Sequence, residues 1–197
     1  DVPDDSIDVL FTDPPYPKEF LPLWSDLGKL AARVLKPGGL CVAYSGQSYL
    51  PEVMERLTEH LTYRWMLCLH LPGGSLSLNE RRITNRWKPI LVYVKEPDRG
   101  EGWLHDYFEN PAPEKTQHTW QQGLTGASAI LNAICKAGDT VLDPMMGTGT
   151  NILAALGLSA TAIGVELERE TFETAERNVV LWIRDNLLPG GSSSDAL

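Results

Sequence analysis

Apolar positions along this chain alternate between short unbroken runs and longer stripes of helical spacing. Ile7-Asp8-Val9-Leu10-Phe11-Thr12 is a β-rich run of the kind buried inside a parallel sheet. Phe20, Leu23, Trp24, Leu27, Leu30, Ala31, Val34 and Leu35 then recur as one helical stripe, which Lys36-Pro37-Gly38-Gly39 stops. A strand over Leu40 to Tyr44 follows. Pro51 at a first-turn position, with Val53, Met54 and Leu57 on one face, signals a second helix. A third strand around Trp65 to Leu71 runs into Pro72-Gly73-Gly74, and Ile90 to Val94 is strand-like after Pro89.

Glu96 to Gln117 is rich in Pro, Gly and charge and reads as a long irregular segment. Beyond it the alternation resumes. Leu124 to Lys136 carries Ala127, Ile130, Leu131 and Ile134 on one face, Thr140 to Leu142 is a strand, and Asn151 to Leu156 opens a helix. Ala162 to Val165 is a strand closed by Glu166. The last helix, from about Arg169 to Leu188, is expected to bury Phe172, Ala175, Val179, Trp182, Ile183 and Leu187, and residues 189–197 are expected to form a loose tail. Strands alternating with helical patterns predict an α/β fold with a doubly wound sheet and helices on both faces.

Composition narrows the class. With 197 residues, 43% of them hydrophobic, the chain suits one globular domain with a sizeable core. The net charge of −9 repels a polyanion overall, so any nucleic-acid contact must come from a local basic patch. Arg81, Arg82, Arg86, Lys88 and Lys95 form such a reversal, with no acidic residue between positions 81 and 95; it reads as a phosphate-facing surface or as a solvated loop. Cys41, Cys68 and Cys135 are scattered in apolar stretches, which supports neither a metal knuckle nor a disulfide framework and favours a reducing, cytoplasmic setting. No apolar run has the length of a membrane span. The chain lacks an initiator Met and enters its first strand within a few residues, so it reads as part of something longer.

Two strands end in chemistry. Asp13-Pro14-Pro15-Tyr16 puts a carboxylate, a stiff backbone and an aromatic ring at the end of the first. Asp143-Pro144-Met145-Met146-Gly147-Thr148-Gly149-Thr150 joins another to a helix, and its glycines allow backbone to approach a ligand closely at a helix N-terminus, or simply make a tight turn. The full dinucleotide fingerprint and the P-loop lysine are both absent. Glu166 ends the next strand, where an acidic group can hold ribose hydroxyls.

These two motifs, in this order, resemble the permuted class of AdoMet-dependent DNA amino-methyltransferases, in which the catalytic half precedes the cofactor half. Asp5-Ser6-Ile7-Asp8, Leu35 to Gly39, Trp87-Lys88-Pro89 and Ala137-Gly138-Asp139 extend the resemblance over nearly the whole chain. It implies a Rossmann-like sheet in one domain over 1–188, with a catalytic half at 1–74, a target-recognition insert at 75–117 and an AdoMet-binding half at 118–188. It also implies that Asp13 and the Pro14 carbonyl accept hydrogen bonds from a target amino group, with Pro15 biasing Pro14 to an extended conformation. Tyr16 would stack on a base flipped out of duplex DNA, or else pack as a half-buried aromatic. Asp143, Met145, Gly147, Gly149, Thr150 and Glu166 would hold S-adenosyl-L-methionine, and Arg81, Arg82, Arg86 and Lys88 the DNA.

Asp rather than Ser at position 13 resembles the adenine-modifying branch. Methylation of RNA or of cytosine, and an inert binding module of the same fold, remain open, as does a homodimer. His118-Thr119-Trp120-Gln121-Gln122 resembles a phage and mobile-element subgroup, in which Trp120 would line the pocket or pack in the core. Two departures stand out. Met145 replaces the usual Phe, and the family's strand ending in Gly-Asp, which precedes the catalytic strand, is missing here; its loss predicts an exposed sheet edge.

Overall fold

The computed structural model describes residues 1–72, 76–78, 82–98, 100, 104–110 and 121–186. A seven-stranded sheet organises them. In chain order its strands are β1 (Ile7–Thr12), β2 (Leu35–Tyr44), β3 (Thr62–His70), β6 (Trp87–Val94), β7 (Tyr107–Glu109), β8 (Thr140–Asp143) and β9 (Thr161–Gly164). A separate hairpin pairs β4 (Leu76–Leu78) with β5 (Ile83–Asn85). Their order across the sheet is β7-β3-β6-β2-β1-β8-β9. β6 alone runs against its neighbours, pairing antiparallel with both β2 and β3, so the sheet is mixed.

Alternation along β1 sets the two faces. Val9 and Phe11 join Val42, Val92, Ile130, Leu131 and Ala155 on one side, beneath α3 (Gln121–Ile134) and α4 (Thr150–Gly157). Leu10 joins Trp24, Leu27, Ala31, Leu57 and Tyr93 on the other, beneath α1 (Leu21–Val34) and α2 (Leu50–Thr58). The expected two-faced α/β architecture is therefore present. No helix among the described residues is long and apolar enough to cross a membrane.

Several local expectations change. The strand expected from Leu40 starts at Leu35, because Lys36 to Gly39 are folded into β2 as an irregularity in its register with β1. Gly38 takes φ +85 and its N–H reaches the Lys95 carbonyl at 2.7 Å. At Gly39 an added Cβ would lie 2.9 Å from the Lys36 carbonyl oxygen and 3.0 Å from that of Asp8. Backbone cannot retreat as a side chain can, so Gly39→Ala is expected to cost about 1–3 kcal/mol, seen as a lower denaturant midpoint at unchanged m-value.

The third strand begins three residues earlier than expected, and Trp65 is 54% exposed. The last helix, α5 (Arg169–Asn186), buries only Ala175, while Phe172 is 41% exposed and Val179, Trp182 and Ile183 are half-buried. α5 meets α4 at a flank where β9 is the outermost strand, so its apolar stripe has one packed side among the described residues. Leu187, the tail 189–197 and Trp120 lie outside the described residues.

Candidate active site

Parallel pairing carries the two motifs to one edge of the sheet. Val9 and Leu10 of β1 lie opposite Val141 and Leu142 of β8, so the segments leaving those strands, Asp13-Pro14 and Asp143 to Met146, emerge side by side. Thr12 lies opposite Ala43 of β2, which brings Tyr44 beside Asp13. Asp13, Tyr44, Lys88, Asp143, Met145 and Gly147 line a single cavity of about 340 Å³. Strand ends that diverge around a switch in connection leave such a crevice in open α/β sheets.

At the catalytic corner Pro14 is buried, while the Asp13 side chain is 45% exposed at the rim. The Tyr16 hydroxyl donates to Asp13 Oδ1. Burial, then the neighbouring Asp13, raises the Tyr16 phenol well above its ordinary range, so it stays a donor. Lys88 Nζ lies 3.4 Å from Asp13 Oδ2, and 5.2 Å and 5.6 Å from the ring centroids of Tyr16 and Tyr44. Tyr44 stands against Phe11 with ring centroids 5.3 Å apart, and its phenol is also raised, by burial and then by Asp13 and Asp143.

On the cofactor side Gly147 and Gly149 adopt φ +53 and +91, conformations costly for any side-chain-bearing residue. A Cβ at 147 would meet nothing within 4 Å, so the backbone there is open to close approach. Gly149 caps α4, its carbonyl accepting from the Leu153 N–H at 2.9 Å, and Thr150 is the first helical residue. Glu166 reaches back to this loop: Oε2 accepts from the Gly147 N–H at 2.9 Å and Oε1 from the Glu168 N–H at 3.0 Å. Each carboxylate oxygen keeps a second lone pair for a hydroxyl.

Asp143 is almost wholly buried, and desolvation pushes its carboxyl up to about 6, against hydrogen bonds that lower it. Among those donors are the Met145 N–H at 3.1 Å and Asn151 Nδ2 at 2.8 Å. The same Asn151 amide lies 3.3 Å from the Phe11 carbonyl, so one buried side chain ties the cofactor strand to the catalytic strand.

The basic residues separate. Arg82, at φ +53 in the β4–β5 hairpin turn, and Arg86 are exposed, Arg81 lies outside the described residues, and Lys88 points into the catalytic corner. Gln47 and Asn85 exchange two amide hydrogen bonds of 3.0 and 2.7 Å, which clamp the hairpin to the loop after β2. Tyr44, Asn110 and Asn151 were not among the expected site residues. Tyr44 was legible as the polar end of a strand parallel to β1. Asn110, whose buried Oδ1 has no hydrogen-bond partner, and Asn151 carried no local signal.

Residues 99–177 match the sequence profile of a DNA methylase family. Type II methyltransferase M.HpaI of Haemophilus parainfluenzae is 22% identical over 89% of this chain and 69% of its own length. The crystal structure of the M1.HpyAVI–SAM complex superposes with a TM-score of 0.69 at 25% identity, covering 88% of this chain and 89% of that one. The chain resembles the DNA amino-methyltransferases in sequence and in fold. PvuII DNA methyltransferase, a cytosine-N4-specific enzyme, shares the fold at a TM-score of 0.74 and 16% identity, over 95% of this chain and 83% of its own.

S-adenosyl-L-methionine is the cofactor of that family, and the cavity here fits it. The Gly147 backbone is open, the wall at Met145 and Met146 is apolar, and the carboxylates of Asp13 and Asp143 suit a cationic ligand.

Proposed function

We propose that this protein is a DNA amino-methyltransferase that methylates the exocyclic amino group of an adenine flipped out of duplex DNA. The observation that carries the proposal is the sharing of one cavity by Asp13 and the Gly147 loop, joined through the parallel β1–β8 pair. Bound S-adenosyl-L-methionine supplies an electrophilic methyl group on a sulfonium.

Asp13 and the Pro14 carbonyl accept the two amino hydrogens, which draws the nitrogen lone pair out of ring conjugation and points it toward the cofactor side. Positioning and fixed charge then supply most of the rate. The Tyr16 hydroxyl occupies Asp13 Oδ1 and so fixes the plane of the carboxylate, leaving Oδ2 for the substrate. Tyr16 and Tyr44 flank the corner with aromatic surface for an extruded base. Asp13, at the rim, passes the proton that leaves the amine to solvent. Arg82 and Arg86 on the hairpin serve as phosphate contacts.

Adenine is preferred over cytosine because Asp stands at position 13. A cytosine amino group is the second reading, favoured by the structural likeness to the cytosine-N4-specific PvuII enzyme. The test is incubation with methyl-labelled S-adenosyl-L-methionine and duplex DNA, single-stranded DNA or RNA, followed by nucleoside analysis. N6-methyladenine in duplex DNA is the expected product. N4-methylcytosine would overturn the base assignment, and label confined to RNA would overturn the substrate.

A further inference from the structure

We infer that Lys88 reads the ring nitrogen beside the target amino group, so that Asp13 and Lys88 together recognise the amidine edge of the flipped base. The inference deepens the proposed amino-methyl transfer and rests on that reading. It starts from a placement that the charge pattern did not suggest: within a run of basic residues suited to phosphate, the Lys88 ammonium turns into the cavity, 3.4 Å from Asp13 Oδ2.

The reach is set by β6. Lys88 lies opposite Leu69 of β3 in the register, while Pro89 accepts the Ser45 N–H at 2.9 Å, which locks this part of the strand against the loop after Tyr44. The Lys88 side chain is 33% exposed and lies over the Tyr16 and Tyr44 rings, whose faces attract a cation and limit where it can swing. A purely phosphate-facing lysine would extend into solvent instead.

Adenine and cytosine both carry an amino group on a carbon that is also bonded to an acceptor nitrogen, N1 in adenine and N3 in cytosine. Asp13 offers an acceptor and Lys88 a donor as immediate neighbours, which complements that pair of atoms. Thymine and uracil present a carbonyl and an N–H there, so each would set acceptor against acceptor and donor against donor. Before a base enters, the ion pair gives Asp13 Oδ2 a partner, while the Tyr16 hydroxyl holds Oδ1. Once the base is in place, the ammonium's second donor goes to the ring nitrogen while Asp13 takes the amino hydrogen.

The test uses duplexes carrying the site mapped from DNA that the wild-type protein has methylated, with the target adenine replaced by 1-deazaadenine, or cytosine by 3-deazacytosine. Wild type is expected to transfer methyl to the deaza base about 10- to 100-fold more slowly, the value of one charge-assisted hydrogen bond. In Lys88→Met the natural base should be slowed to a similar degree and the two bases should become nearly equal, while Lys88→Arg should keep much of the discrimination. Unchanged discrimination in Lys88→Met, with uniformly weaker DNA binding and a salt slope smaller by about 1, would overturn the inference in favour of a phosphate contact.

A second arm needs no turnover: the Lys88 ammonium resonance of the nitrogen-labelled protein, with sinefungin present, is followed during titration with 9-methyladenine or its 1-deaza analogue. A shift with the first only supports the inference, and equal or absent shifts sink it. Absence of methyl transfer by wild type to any nucleic acid would count against the proposed function alone, because this arm still reports on Lys88.

Discussion

Asp13→Ala is expected to lower the single-turnover rate of methyl transfer by about 10²–10³-fold while cofactor affinity stays within about threefold. In the proposed mechanism the carboxylate meets the target amine, whereas the cofactor lies against the loop of Gly147 and Gly149, which Glu166 holds through the Gly147 N–H. Fold stability should barely change. The Lys88–Asp13 pair is solvent-accessible on both sides and is worth at most about 1 kcal/mol. Asp13→Asn, which retains one acceptor oxygen, should lie between wild type and alanine. Single-turnover transfer measured beside cofactor titration checks the result. A loss of affinity as large as the loss of rate would show instead that Asp13 belongs to the cofactor site.

Asp143 should make stability depend on pH in the direction opposite to most carboxylates. Its folded-state value of about 6 exceeds the unfolded value of 3.8, so the folded protein binds the extra proton between those limits. Stability associated with this group is therefore fully present below pH 3.8 and falls as pH rises through about 6. A shift of this size corresponds to about 3 kcal/mol. The stability difference between wild type and Asp143→Asn, measured by denaturation across this window, should change by about that amount, because asparagine cannot titrate. A pH-independent difference would sink the assignment. A cation in the cavity favours the charged form, so affinity for S-adenosyl-L-methionine should rise as pH passes about 6. The response should be weaker for S-adenosylhomocysteine, whose sulfur is uncharged.

The catalytic and cofactor motifs were legible because each is a contiguous segment at the end of an apolar run, Asp13 to Tyr16 after β1 and Asp143 to Thr150 after β8. Local pattern also located the helices over the sheet, since 3.6-residue spacing in α1 and α3 follows from burial of one face. It failed at Lys36 to Gly39. Pro-Gly-Gly reads as a break, yet hydrogen bonds to Lys95, just past the end of β6 and far away in sequence, hold those residues inside a strand. It failed again at α5, where an apolar stripe was taken to be a buried one. Periodicity records which side chains share a face but not what packs against that face.

The sequence by itself determined the α/β class, the two polar strand ends and the order in which they occur, because strand and helix periodicity and turn chemistry are local properties. Only the tertiary structure decided that β6 runs antiparallel within the sheet, that Asn151 bridges Asp143 and Phe11, and that Lys88 leaves the basic surface to stand beside Asp13. Each of these depends on contacts between residues remote in the chain. The energy of a buried amide or an inward-turned ammonium is set by what the fold places around it, not by its neighbours in sequence.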